Sequence, residues 1–96
     1  MAKKATVKRK RVLFSHRAKP GSTVFVAGTF NNWDVSSKQA KQMKDEAGDG
    51  LFKKIVLLPA GQYEYKFHVD GEWVADDKAE WVHNDMGTLN SVVVVE

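Results

Sequence analysis

Apolar and polar positions alternate with period two along most of the chain, and the runs are cut at short intervals by Gly, Pro, Asn and Asp. No segment sustains the 3.6-residue spacing of an amphipathic helix. The pattern predicts an all-β fold, an antiparallel β-sandwich, with strands over 11–17, 23–27, 51–58 and 62–69. Lys19-Pro20-Gly21-Ser22 and Pro59-Ala60-Gly61 supply turns between them, and 47–50 a tight turn. Val92, Val93, Val94 and Val95 form an unbroken β-branched run, the mark of a strand buried on both sides or paired centrally. Residues 28–34 (Gly-Thr-Phe-Asn-Asn-Trp-Asp) break the alternation and read as a loop carrying Trp33. Residues 36–44 are compatible with one irregular turn running into a short strand around Gln42 and Met43.

Residues 63–74 hold the most informative local signal, because Asp70-Gly71 favours a two-residue hairpin loop. Pairing Val69 with Glu72 then sets His68 opposite Trp73, Phe67 opposite Val74 and Lys66 opposite Ala75, and directly opposed residues share a sheet face. Tyr63, Tyr65, Phe67, Val69 and Val74 fall on an apolar, inward face; Glu64, Lys66, His68 and Trp73 fall on a polar, outward one. A tryptophan on the polar face gains little from core burial, so either a partner molecule or a neighbouring loop covers it. Trp33 and Trp81 are expected in two further exposed loops.

Composition narrows the field. Ninety-six residues fit one domain with one core, and the absence of cysteine leaves packing, not disulfides or thiolate metal sites, to hold it. No stretch approaches the roughly 20 apolar residues of a membrane span, and no apolar run follows the basic start as in a signal peptide, so a cytoplasmic protein without membrane partners is expected. The net charge of +3 is unevenly placed: residues 1–19 carry eight cations and no acid, the remainder seven cations and twelve acids. This divides the chain into a basic, flexible leader over 1–10 and a folded domain over 11–96. The leader reads as a solvated tail, as a first strand with charged flanks or as a nucleic-acid arm. The initial methionine and charged start favour a stand-alone chain.

Catalytic chemistry finds no constellation. His16, His68 and His83 are isolated, Asp76 and Asp77 would point apart on an extended segment, and Asp45, Glu46 and Asp49 lack calcium-loop spacing. No catalytic residue, metal or cofactor is expected, and the chain reads as a binding module, not an enzyme.

Exposed tryptophans suit a sugar. A glucose ring presents C–H groups on its faces and hydroxyls around its rim, so recognition needs flat aromatic platforms and fixed polar groups. Trp33 and Trp73 supply platforms, and Lys66 shares the outward face with Trp73. Thr88 and Asn90 alternate with Leu89 and either face the sugar together or serve as ordinary turn and edge residues. Gly87 reads as a backbone device.

Four segments in order, VFVAGTFNNWD (24–34), GLFKKIVLLPAG (50–61), YEYKFHVDGEWVAD (63–76) and MGTLNSVVVV (86–95), resemble the glycogen- and starch-binding modules of carbohydrate-binding module family 48. That family includes the glycogen-binding domains of AMP-activated protein kinase beta subunits and the N-terminal domains of branching and debranching enzymes. The resemblance covers the chain from about residue 12 onward. It implies an immunoglobulin-like sandwich without catalytic activity that binds α-glucan polysaccharide or malto-oligosaccharide. It also implies a partner enzyme of glycogen metabolism. Carried over position by position, Trp33 and Trp73 would stack on successive glucoses, Lys66, Thr88 and Asn90 would hydrogen-bond hydroxyls, and Met86 would add an apolar contact. The chain departs from the pattern at Asp77, where proline is common, and at Met86, where leucine is; Trp81 has no assigned part and serves as a third platform or in packing.

Two rivals remain: a protein-interaction adaptor docking a kinase or glycan-processing enzyme through the tryptophans, and a nucleic-acid binder using the leader, whose affinity would fall steeply with salt and vanish on deleting residues 1–11.

Overall fold

The computed structural model describes residues 8–96. Its eight strands are β1 (Arg9–Arg17), β2 (Val24–Gly28), β3 (Lys41–Gln42), β4 (Leu51–Pro59), β5 (Gly61–Val69), β6 (Glu72–Val74), β7 (Glu80–His83) and β8 (Leu89–Val95). The four long strands expected from the alternation lie within two residues of these bounds, with β1 beginning at Arg9 and not Arg11. The mobility expected of the leader concerns, for residues 1–7, positions outside the described residues. Among the described residues there is no helix, and none long and apolar enough to cross a membrane.

Two antiparallel sheets form. One pairs β1 with β4; the other runs β3-β2-β5-β8-β7, with β6 also on β5. Their facing sides make the core: Phe14 of β1 and Phe52, Val56 and Leu58 of β4 meet Val24 and Val26 of β2, Tyr65 and Phe67 of β5 and Val95 of β8, with Met43 at one margin. Alternate residues of β1, β2, β4, β5 and β8 enter this layer, as the period-two pattern requires, whereas β3, β6 and β7 add none. The result is the expected all-β sandwich. A single bridge between Lys44 and Lys53 ties the end of β3 to β4.

The valine run meets its expected readings only at its start. Val92 is paired on both edges, with Glu64 of β5 and Glu80 of β7, but Val93, Val94 and Val95 pair with β5 alone, and the run is not buried on both faces: Val95 is 7% exposed and Val94 62%. Trp81 departs from expectation. It lies in β7 opposite Ser91 and not in a loop, because the four-residue strand is too short to show alternation in the sequence. It is exposed, with His83 edge-on at 5.4 Å.

The outer side of the β1–β4 sheet is also uncovered. Leu13 stands opposite Ile55 and Arg11 opposite Leu57, and the three aliphatics are exposed. Register and alternation put Arg9, Arg11, Arg17 and Lys53 around them, so the charges that the two strands themselves present here are positive, while Glu46 and Asp49 of the preceding turn border Leu51 and Lys53 at one end.

Beneath β7 and β8, Tyr65 donates its hydroxyl proton to Asp76 Oδ2 at 2.8 Å, while the Asp76 amide donates to Ser91 Oγ at 2.8 Å. Burial, reinforced by the Asp76 carboxylate, pushes the Tyr65 phenol well above its ordinary range. The network anchors the connection between β6 and β7 to the sheet.

Candidate functional site

The loop carrying Trp33 begins at Gly28, where the chain leaves β2 in contact with β5. A Cβ there would collide with the Glu64 carbonyl oxygen and come within 2.9 Å of Phe30 and of Tyr65 Cβ, so only glycine allows this approach. The Gly28 carbonyl accepts from the amides of both Asn31 (3.1 Å) and Trp33 (3.0 Å). Asn31, buried at 9% exposure, is the loop's internal clasp: its Oδ1 accepts from the Gly28 amide, and its Nδ2 donates to the carbonyls of Asp34 and Gln39, each at 3.1 Å. These bonds turn the backbone into the left-handed region at Asn32 (φ 56°) and Trp33 (φ 59°). Asparagine tolerates that region, but for a bulky residue it is strained, and the cost is of order 1–3 kcal/mol. Strain at this position puts the indole where an unstrained turn would not.

Asp34 closes the loop. Its carboxylate accepts from the amides of Ser36 and Ser37 and from the Ser37 hydroxyl. Led by the Ser37 hydroxyl, these bonds hold its carboxyl below the usual carboxylate value. A depressed carboxylate supports the loop above the ordinary Asp pKa of about 3.9 and loses that support as pH falls through the lower, folded value. Acid titration of tryptophan fluorescence should therefore show a change below about pH 3.9 that Asp34→Ala lacks.

Trp73 is placed by the hairpin. Asp70 (φ 48°) and Gly71 (φ 90°) both take positive φ, as a two-residue type I′ loop requires. The register is Val69–Glu72, His68–Trp73 and Phe67–Val74, as expected, and the ladder stops there, one pair short of Lys66–Ala75. Asp70 locks the tip to the start of β2, accepting from the Thr23 amide at 2.8 Å. Trp73 lies edge-on to His68 at 4.7 Å and to Trp33 at 6.0 Å, with an interplanar angle of 76° between the two indoles. Trp73 is 46% exposed and Trp33 half-buried. The pair is thus a corner and not a flat shelf.

The third wall is the turn between β7 and β8, built on Asn84, a residue the sequence reading passed over. Asn84 Oδ1 accepts from the amides of Met86 (2.9 Å) and Thr88 (3.1 Å); its Nδ2 donates to Thr88 Oγ1 (2.6 Å) and Asn90 Oδ1 (3.1 Å). Its carbonyl accepts from the Gly87 amide, and Gly87 takes φ 80°. An Asn three residues before a Gly is a turn signature, so the signal was present in the sequence. At the apex Met86 is 88% exposed.

All six residues anticipated from the sequence, Trp33, Lys66, Trp73, Met86, Thr88 and Asn90, line one groove of ≈ 930 Å³, joined by Ala75, Asn84, Asp85 and Leu89. They are not equivalent. Lys66 Nζ donates to Thr88 Oγ1 at 3.2 Å, which still leaves ammonium protons for a ligand. Asn90 is 7% exposed, and its amide is taken up internally: Nδ2 donates to Glu64 Oε1 at 2.9 Å and Oδ1 accepts from Asn84. Among the described residues no group of three or more His, Cys, Asp or Glu is placed to hold a metal ion.

An open groove with two aromatic faces, one aliphatic tip and a rim of ammonium, hydroxyl and amide groups is suited to holding a polyhydroxylated ring without changing it. Comparison with known proteins agrees. Residues 11–96 match the family model described as the glycogen recognition site of AMP-activated protein kinase. The chain is 38% identical over 76 residues to 5'-AMP-activated protein kinase subunit beta-2 of Mus musculus and of Homo sapiens, and 34% identical over 76 residues to subunit beta-1 of Rattus norvegicus. Each match covers 79% of this chain and 26% of the relative, so the chain spans about a quarter of the length of these curated relatives. Family match, sandwich and groove together show that the chain belongs to the glycogen-recognition domains of the AMP-activated protein kinase type.

Proposed function

We propose that this domain binds α-1,4-linked glucose chains of the glycogen or starch kind, non-catalytically, in the groove between Trp33, Trp73 and Met86. The observation that carries the reading is the corner made by the two indoles. A β-1,4-glucan is a flat ribbon whose rings would lie on coplanar platforms. An α-1,4-glucan winds, so successive rings turn, and platforms inclined at 76° suit a turning chain. Lys66 and Thr88 offer donors and acceptors to the ring edge, and Asn90 acts by holding Asn84 and Glu64 in place. Two platforms and a few net hydrogen bonds of about 1 kcal/mol each give micromolar or weaker affinity, raised by avidity on a branched polymer. Glycogen is a cytoplasmic store, and a cytoplasmic location follows from the ligand.

Co-sedimentation with glycogen tests the reading: the wild-type protein should pellet with the polymer, and the double variant Trp33→Ala, Trp73→Ala should stay in the supernatant. Equal pelleting of both would end the proposal.

A second reading, docking to a partner enzyme of glycogen metabolism, is favoured by the uncovered Leu13, Ile55 and Leu57 on the far side of the sandwich. The strand charges around these aliphatics are Arg9, Arg11, Arg17 and Lys53, so the partner this part of the face fits carries acidic and aliphatic groups. The two readings are compatible, because the groove and this face lie on different sheets.

A further inference from the structure

Among the described residues Met86 is the large apolar residue most open to solvent, at 88% exposure, and the turn beneath it is fixed from Asn84 through five hydrogen bonds within residues 84–88. The backbone that carries the thioether is therefore held at the mouth of the groove. The other methionine among the described residues, Met43, is 2% exposed in the core, so the chain carries its own protected control. Thioethers oxidise according to exposure, and the sulfoxide is polar and chiral where the thioether was apolar.

We infer that Met86 is a modification site at which a peroxide oxidant switches the groove to a low-affinity state. The inference rests on the glucan reading and adds a control to the same site. A sulfur lone pair attacks one oxygen of hydrogen peroxide, the O–O bond breaks, an S–O bond forms and water leaves. Sulfur loses two electrons and the peroxide gains them. The change falls on the apolar tip facing Trp33 and Trp73 across the groove. There the sulfoxide oxygen loses water when a sugar face covers it; the Asn84 amide is already engaged with Thr88 and Asn90, and a Lys66 proton turned to the sulfoxide would be withdrawn from the sugar edge. Losing one apolar contact of about a methylene's worth and desolvating a polar oxygen weakens binding by about fivefold or more. Thiol-dependent reductases of methionine sulfoxide make the change reversible.

The test is calorimetric titration with maltoheptaose before and after limited hydrogen peroxide treatment, with peptide fragmentation to locate added oxygen. Expected are one oxygen on Met86, none on Met43, an affinity about fivefold lower, and recovery after methionine sulfoxide reductase. In Met86→Leu, whatever its starting affinity, treatment should cause no further change. Unchanged affinity after complete Met86 oxidation, oxidation of Met43 as fast as Met86, or an equal loss in treated Met86→Leu would each overturn this inference alone. Absence of binding before treatment would overturn the glucan reading along with it.

Discussion

Gly28→Ala should destabilise the domain by about 3 kcal/mol or more, at the upper end of overpacking costs, and lower Tm by about 12 °C or more for a domain of this size. The added methyl meets a backbone oxygen, that of Glu64, which cannot move without breaking the β2–β5 ladder at Gly28–Tyr65. It also presses on Phe30 and on Tyr65, whose ring packs edge-on against Phe14 at 4.9 Å in the core. The same substitution should weaken glucan binding in whatever fraction stays folded, because the Gly28 carbonyl receives the amides of Asn31 and Trp33 and so aims the first platform. Thermal melting monitored by circular dichroism and titration at low temperature read the two effects separately. A melting point within a few degrees of wild type would show that the Gly28 approach is not as tight as the geometry indicates.

Trp73→Ala carries the largest expected effect on binding. Its indole supplies apolar area and aromatic contact worth about 2 kcal/mol together, which is a loss of about 30-fold in affinity for maltoheptaose. Its effect on stability should be small by comparison, since the ring lies on the outward face and is 46% exposed. Because Trp33 leans edge-on against it, removing Trp73 also frees Trp33. The loss in the double variant should therefore fall short of the sum of the single losses by about 0.5–1.5 kcal/mol. Strict additivity would mean that the two platforms act independently and that the corner has no mechanical role.

The hairpin was legible in the sequence down to the pairing of individual residues, because Asp70-Gly71 fixes the turn chemically and the period of two propagates the register from there. The placement of Lys66 and Trp73 on one outward face followed from the same count. What the sequence did not disclose depends on contacts between distant segments. Nothing local shows that Asn31 reaches the Gln39 carbonyl, that Trp33 and Trp73 meet at 76°, or that Asn90 bonds Glu64 diagonally across the β5–β8 pair. Trp81 was misplaced for a different reason: a strand as short as β7 exists only because β8 is there to pair with it, and alternation over four residues is no signal at all. Residues 36–44 resolved into turns and the two-residue β3, which has no pattern of its own and is defined by Phe25 and Val26 opposite.

On the proposed glucan reading, the left-handed backbone at Trp33 sets heat resistance against ligand capture. A glycine would adopt φ 59° without strain and tighten the loop, yet it would remove the indole. Directed evolution that rewards survival on heating, with no sugar present to reward retention, would be pulled toward small residues at this position and would harvest sturdier proteins that no longer hold on to starch.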